Sequence, residues 1–231
     1  MPLDPKLNKF STASQIQAVY NFTDIIDGVG KATFWAATHK ETTTEAPYLT
    51  SQTIKSKSTS YSVAVGSGDV NTTVIDLDFD SKMNTSRIIL GDVNVIGVMG
   101  LWANTSNASN AETTITVKIR KWDGTTETEI ASASSQEENL RIPGSTGTAP
   151  SKTFNILIPV TTPTTIGAGQ TLRVTILVEL GGSVGVGGQN VGFGIDPANR
   201  EDILNIQDPD KKIIEDDFDT TLQINVPFQI Q

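Results

Sequence analysis

The feature that most constrains this chain is strict alternation of apolar and polar residues. Over 171–180, Leu172, Val174, Ile176, Val178 and Leu180 fall on one side, while Thr171, Arg173, Thr175 and Glu179 fall on the other. Leu177 is the one apolar exception. A period of two places alternate side chains on opposite faces of a β-strand, so each such run predicts a strand with one face in a core. The pattern recurs at Phe154, Ile156, Ile158 and Val160, and again at Leu222, Ile224, Val226, Phe228 and Ile230. Pro227 cannot donate to a ladder, which predicts an edge position or a bulge for the last strand.

Asp123-Gly124 lies between two alternating runs and reads as a two-residue hairpin turn. That turn predicts the cross-strand pairs Trp122–Thr125, Arg120–Glu127, Lys118–Glu129 and Val117–Ile130. Further strands are expected at 31–38, 47–54, 60–65, 72–79, 87–90 and 93–103. Polar or glycine-rich links separate them at 40–46, 66–70, 104–111, 135–151 and 181–192. Short helical turns are expected at 11–19 and 198–205. The sum is an all-β fold: an antiparallel β-sandwich of about ten strands, jelly-roll-like, with few or no helices. Residues 1–20 read as an N-terminal arm and 21–231 as a single β-sandwich domain, large enough to be stable by packing alone.

Composition narrows the chemistry. The chain contains no Cys, which removes disulfides, thiolate metal sites and a thiol nucleophile. Its net charge of −9 disfavours a broad phosphate-binding face, so no nucleic-acid partner is expected. The acidic residues crowd into 196–219, which reads as a solvated surface. The first ten residues have no apolar run of signal-peptide type, and no stretch of 18 apolar residues exists, so no membrane partner is expected either.

No motif names a reaction. Gly30-Lys31 would need Gly at 25 and Ser or Thr at 32 to form a phosphate loop, but these positions hold Ile25 and Ala32. Asp76, Asp78 and Asp80 start like a calcium loop, yet Ser81 and Arg87 stand where that loop needs Gly and Glu. On a strand the three acids share a polar outer face, and a cation site there is the minor reading. His39 is the sole histidine, has no nucleophile signature nearby, and reads as a surface residue. The run GGSVGVGGQNVGFG at 181–194 lacks the following helix of a dinucleotide site and reads as a hairpin loop. Sequons at Asn21, Asn71, Asn84, Asn104 and Asn107 are expected by chance in a chain this rich in Asn, Ser and Thr. Trp35, Trp102 and Trp122 read as core or turn packing, with a sugar platform as the alternative. No catalytic residues, metal or cofactor are expected.

Three stretches carry a family resemblance. They are Tyr20 to Gly30 leading into ATFWAAT and YLTSQTI, then Phe154 to Leu180 with Gly167-Ala168-Gly169 between two strands, then Gly192 to Arg200. Their order resembles the β-sandwich structural proteins of tailed viruses of bacteria and archaea, including capsid decoration and accessory virion proteins with jelly-roll cores. The resemblance covers about two-thirds of the chain and transfers no functional residues. It implies a bacteriophage-type virion exterior, partners among capsid or other virion proteins, and a homo-oligomer, often a trimer. The function expected from it is a non-enzymatic decoration or accessory protein that stabilises the shell by protein–protein contact. A tail, fibre or surface glycan-binding module and a jelly-roll major capsid protein are the alternatives.

Overall fold

The computed structural model describes residues 18–19, 29–41, 44–103, 109–142, 151–183, 189–200 and 219–229. The strands among them are β1 (Ala18–Val19), β2 (Val29–Glu41), β3 (Thr44–Thr50), β4 (Ser60–Val65), β5 (Thr72–Lys82) and β6 (Arg87–Ala103). They continue with β7 (Ser109–Trp122), β8 (Glu127–Ser134), β9 (Glu138–Ile142), β10 (Ser151–Ile166), β11 (Thr171–Ser183), β12 (Gln189–Gly194) and β13 (Leu222–Gln229). One 3-10 turn at Ser67–Asp69 is the only helical element among the described residues, and none of their helices could cross a membrane. Of the arm expected at 1–20, only Ala18–Val19 is described, as a short strand against β2.

The hydrogen-bonded order is β4-β12-β6-β13-β2-β3-β5-β11-β7-β8, with β10 on β6, β9 on β7 and β1 on β2. All pairings are antiparallel except β3 with β5, which meet in parallel at the single pair Tyr48↔Asp80. The sheet folds over at that seam. Four strands lie between β12 and β5 in the order, yet the rings of Phe193 and Phe79 are 6.5 Å apart. Both halves thus turn their apolar sides to one core, and the chain is an all-β sandwich as expected. Leu172, Val174, Ile176, Val178 and Leu180 are fully buried in it, and Phe154, Ile156, Ile158 and Val160 are buried alongside.

Four local expectations need correction. The hairpin turn has four residues, not two. The Asp123 carboxylate accepts the N–H groups of Thr125 (2.9 Å) and Thr126 (2.7 Å), and that side-chain bonding competes with the tighter turn. Partners are therefore Trp122↔Glu127 and Arg120↔Glu129, followed by a bulge that leaves Val117 opposite Ala133. Arg120–Glu127 (3.2 Å) and Lys118–Glu129 (3.7 Å) still form, as diagonal rather than facing pairs.

The strands expected at 87–90 and 93–103 are one strand, bent at Gly91 (φ 104°). Both neighbours shift register beside it, β10 between Val160 and Thr164, β13 between Asn225 and Phe228. That second shift holds Pro227, so β13 is an inner strand whose proline sits at an irregularity rather than an edge.

Two links contain strand: β9 lies within 135–151, and β12 begins within 181–192 and runs on to Gly194. Finally, Asp196 is not a solvated acid. It is fully buried. The rest of the acidic run up to 218 lies outside the described residues, as do 198–205 beyond Arg200, most of 11–19, and the sequons Asn21, Asn104 and Asn107.

Asn94, on β6, has its side-chain oxygen buried without a hydrogen-bond partner. Desolvating such an acceptor costs about 1–3 kcal/mol. Asn94→Val, which suits a strand, is expected to raise stability by about 1 kcal/mol in urea denaturation.

Candidate functional site

Three polar constellations stand out, and their geometry separates structural roles from a site open to ligand. The first lies on the outer face of β5, β11, β7 and β8. Arg173 grips Asp80 with two parallel bonds of 2.8 Å each and sits 3.2 Å from both Asp78 and Glu127. Its guanidinium lies 5.4 Å from the centroid of the Trp122 ring. The bonds to Asp80 hold Arg173 well above the usual arginine range, against the opposing effect of burial. Asp78 also accepts the hydroxyl of Thr175.

The acids weighed as a cation site are thus drawn together by an arginine. Asp76 stands further along β5, opposite Leu177. No group of three or more metal-ligating side chains occurs among the described residues. Trp122 lies beside the Arg173 cation. Partly exposed ion pairs contribute less than buried ones, so Arg173→Met is expected to cost about 1–2 kcal/mol. A double-mutant cycle with Asp80→Asn in low and high salt measures it, and high salt should shrink the coupling.

The second constellation centres on Asp196. Its carboxylate accepts the N–H of Ser56 (2.9 Å), the N–H of Arg200 (3.0 Å) and the Arg200 Nε (2.7 Å). Arg200 Nη2 donates to the Ser56 carbonyl (2.6 Å). The Ser56 hydroxyl receives the N–H of Thr38 (2.8 Å). Asn199, at φ 46°, accepts the N–H of Thr220 (2.8 Å). Burial alone raises the pKa of Asp196, but the Arg200 guanidinium and the N–H groups of Ser56, Arg200 and Ala198 outweigh it and hold the carboxyl below the usual range. Every oxygen is occupied within the protein, so this network ties β2, the 51–59 segment and the 195–200 turn together. It is a structural lock.

The third is a cleft of about 280 Å³ at the seam where the sheet folds over. Because β3 and β5 pair at one point only, they part beyond Tyr48 and Asp80, and the gap between them opens. Thr50 and Ser51 line it from β3 and beyond, Ser81 and Lys82 from β5. Asn84 and Thr85 close it from the β5–β6 turn, and Arg87 from the start of β6. Phe34, Leu49 and Met83 are buried and form an apolar floor. The turn is braced from below: Met83 N–H donates to the Gln170 carbonyl (2.8 Å), and Gly169 N–H donates to the Met83 carbonyl (2.7 Å). Gly169 reaches that position at φ 84°, where a side chain would be strained.

Tyr48, at the cleft's edge, has its phenol pKa raised by burial, so it stays a protonated donor at neutral pH. The ring of His39 stacks edge-on against it at 5.1 Å, which gives the sole histidine a packing partner. None of these lining residues stood out as a set in the sequence, because they come from three segments and share no fixed spacing. Trp35 and Trp122 lie outside the cleft lining, and of Trp102 only the backbone is described.

No protein-family model matches the chain, and no curated protein sequence does. Solved structures do align with it. A CocE/NonD family hydrolase from Staphylococcus aureus aligns with a TM-score of 0.44 and 12% identity, over 84% of this chain and 36% of that one. An alpha-amino acid ester hydrolase aligns at 0.39 and 11%, over 66% of this chain and 25% of that one. A structure of infectious bursal disease virus, Gx strain, aligns at 0.27 and 10%, over 100% of this chain and 53% of that one. This chain therefore spans about a third or less of the hydrolases' length. At these scores the likenesses carry neither an activity nor a partner to it.

They do correct one expectation. The hydrolases align better than the virus structure does, so a sandwich of this kind does not single out a non-enzymatic coat, decoration, fibre or glycan-binding protein. The statement that the chain is not an enzyme falls with it. The physical reason is that strand period and turn spacing specify a sandwich, while activity depends on side chains that converge only in three dimensions. The likeness to a virus structure is present and weak, and nothing in the comparisons bears on tailed viruses.

Proposed function

We propose that this chain binds a small polar molecule in the cleft at the β3–β5 seam. One observation carries the reading: hydroxyl, amide and cationic side chains from two stretches, 48–51 and 81–87, converge over a buried apolar floor. That combination suits a ligand with a polar head and a short apolar body. The other two constellations already satisfy their own charges within the protein. The test is a fragment screen by ligand-observed NMR on the native chain and on Ser81→Trp, which fills the cleft. Fragments are expected to bind the native chain and to lose binding to the filled variant. Equal binding to both overturns the reading. Ester fragments in the same set also report turnover, through release of the free acid.

We also propose the exterior of a virus particle as the location, with virion proteins and further copies of the chain as partners. The net charge of −9 supports it, since packaged nucleic acid repels such a chain. Antibody labelling of intact particles is expected to decorate their outside. Particles free of label contradict the proposal.

A further inference from the structure

We infer that the free edge of β4 is a contact between two copies of this chain, which pair β4 against β4 in antiparallel and so make one continuous sheet; the inference rests on the proposal that copies of the chain are partners of one another. β4 stands at one end of the strand order, and among the described residues it pairs with β12 alone. Its other edge presents backbone groups with no strand beside them among those residues.

The register says which groups these are. The Ile195 N–H donates to the Thr59 carbonyl (2.8 Å), one step beyond the pair Ser60↔Gly194. Facing residues of an antiparallel pair exchange bonds at every second position. Thr59, Tyr61, Val63 and Val65 therefore direct their N–H and C=O groups at β12. Ser60, Ser62 and Ala64 direct theirs the other way, to the open edge. The row stops at Gly66, whose N–H donates to the Asp69 carboxylate (2.7 Å).

Natural edge strands carry charges, proline or a bulge that block a further strand. β10, which pairs with β6 alone, holds Pro159 and Pro163. β8, at the far end of the order, holds Glu127, Glu129 and a bulge. β4 reads Ser-Tyr-Ser-Val-Ala-Val, and no charged residue or proline occurs from Ser58 to Gly68. This edge is left unguarded.

The strand that fits it is the same strand turned around. With Ser62 opposite Ser62 of the second copy, Ser60 faces Ala64 of that copy, and all three outward residues find partners without Gly66. The positions between them set Tyr61 against Val63 of the second copy. An aromatic and a β-branched residue make a favourable cross-strand pair, and side chains come closest at these non-bonded positions. Both residues are half-buried on the core face, the Tyr61 ring 6.2 Å from that of Phe193. The ends match in charge as well. Lys55 and Lys57 are exposed just before the strand and Asp69 follows it, so an antiparallel pair brings the basic end of each copy beside the acidic end of the other. The bond from Gly66 leaves Asp69 its charge and its second oxygen. A two-fold axis through Ser62 satisfies both copies at once and closes the contact to a third.

Sedimentation velocity over a wide concentration range, with hydrogen exchange read by NMR, tests this. The native chain is expected to dimerise, and exchange of the Ser60, Ser62 and Ala64 N–H groups to slow as concentration rises. Ser62→Pro removes only an outward N–H and keeps every bond to β12, so it should fold, which thermal melting checks. It is expected to weaken the dimer at least about tenfold, because both copies lose a bond at the axis. Ser62→Lys sets like charges face to face there and is expected to weaken the dimer too, while an equal mixture of Ser62→Lys and Ser62→Glu restores it. If the native chain dimerises but these substitutions leave the dimer unchanged, the β4 inference fails while association of copies stands. If the native chain stays monomeric at millimolar concentration, both fail, and the edge is left to a strand of another protein.

Discussion

Replacing Asp196 by Asn is expected to destabilise the protein by about 2–3 kcal/mol, a sizeable share of the roughly 5–15 kcal/mol that holds a domain of this kind together. The side chain has no exposed surface, and its two oxygens organise donors from Ser56 and Arg200. An amide of the same shape keeps one acceptor but turns an NH2 group toward those donors. It also leaves the Arg200 charge unpaired. The cost comes mainly from the buried N–H groups left facing an NH2 group, since the Arg200 side chain is 37% exposed and recovers solvation.

The pH dependence has a definite sign. The folded-state pKa of Asp196 is lowered. Its contribution is therefore complete above the unfolded pKa of about 3.9 and is lost as pH falls through the lower, folded value. Urea denaturation of native chain and variant between neutral pH and about pH 3 should show a constant gap that narrows only at the acid end. A gap that closes already between about pH 7 and 5 contradicts this account.

Replacing Gly192 by Ala is expected to cost at least about 3 kcal/mol, or to prevent folding altogether. Gly192 lies in β12, flanked by β4 and β6. A methyl group there would press on the Tyr61 carbonyl oxygen and stand 2.9 Å from the Ser62 Cα. These are backbone atoms of a paired strand and cannot swing aside as a flexible side chain could. Gly194→Ala meets the backbone of Thr220 at 2.5 Å and is expected to behave alike. Gly68→Ala is the control, since nothing lies within 4 Å of its added carbon. Circular dichroism and thermal melting of the three variants separate close packing from a general intolerance of alanine for glycine. If Gly192→Ala melts like the control, the β4–β12–β6 packing is wrong.

These sites show where sequence was informative. The runs at 154–160, 171–180 and 222–228 alternate because each strand has one face in the core, and period alone locates them. β12 escaped because its glycines are there for space, and a glycine-rich run looks the same in a loop as in a crowded strand. The hairpin at Asp123-Gly124 was located correctly but misaligned, since a side chain bonding to two N–H groups lengthens the turn without changing its signature residues. Asp196 was hidden among the acids that follow it; only tertiary contact with Ser56, 140 residues away, marks it as buried. The cleft left no trace in sequence. Its walls come from β3, β5 and the turn after β5, and they converge because the sheet folds over at one parallel pair.

The cleft is the proposed place where this protein meets another molecule. The most direct measurement is a crystal structure of the native chain soaked with the tightest-binding fragment from the screen. The expected result is density for the fragment between Thr50 and Lys82, with its apolar part on Phe34 and Met83. Density on the outer face of the β5–β11–β7–β8 sheet instead, with the cleft empty, contradicts it.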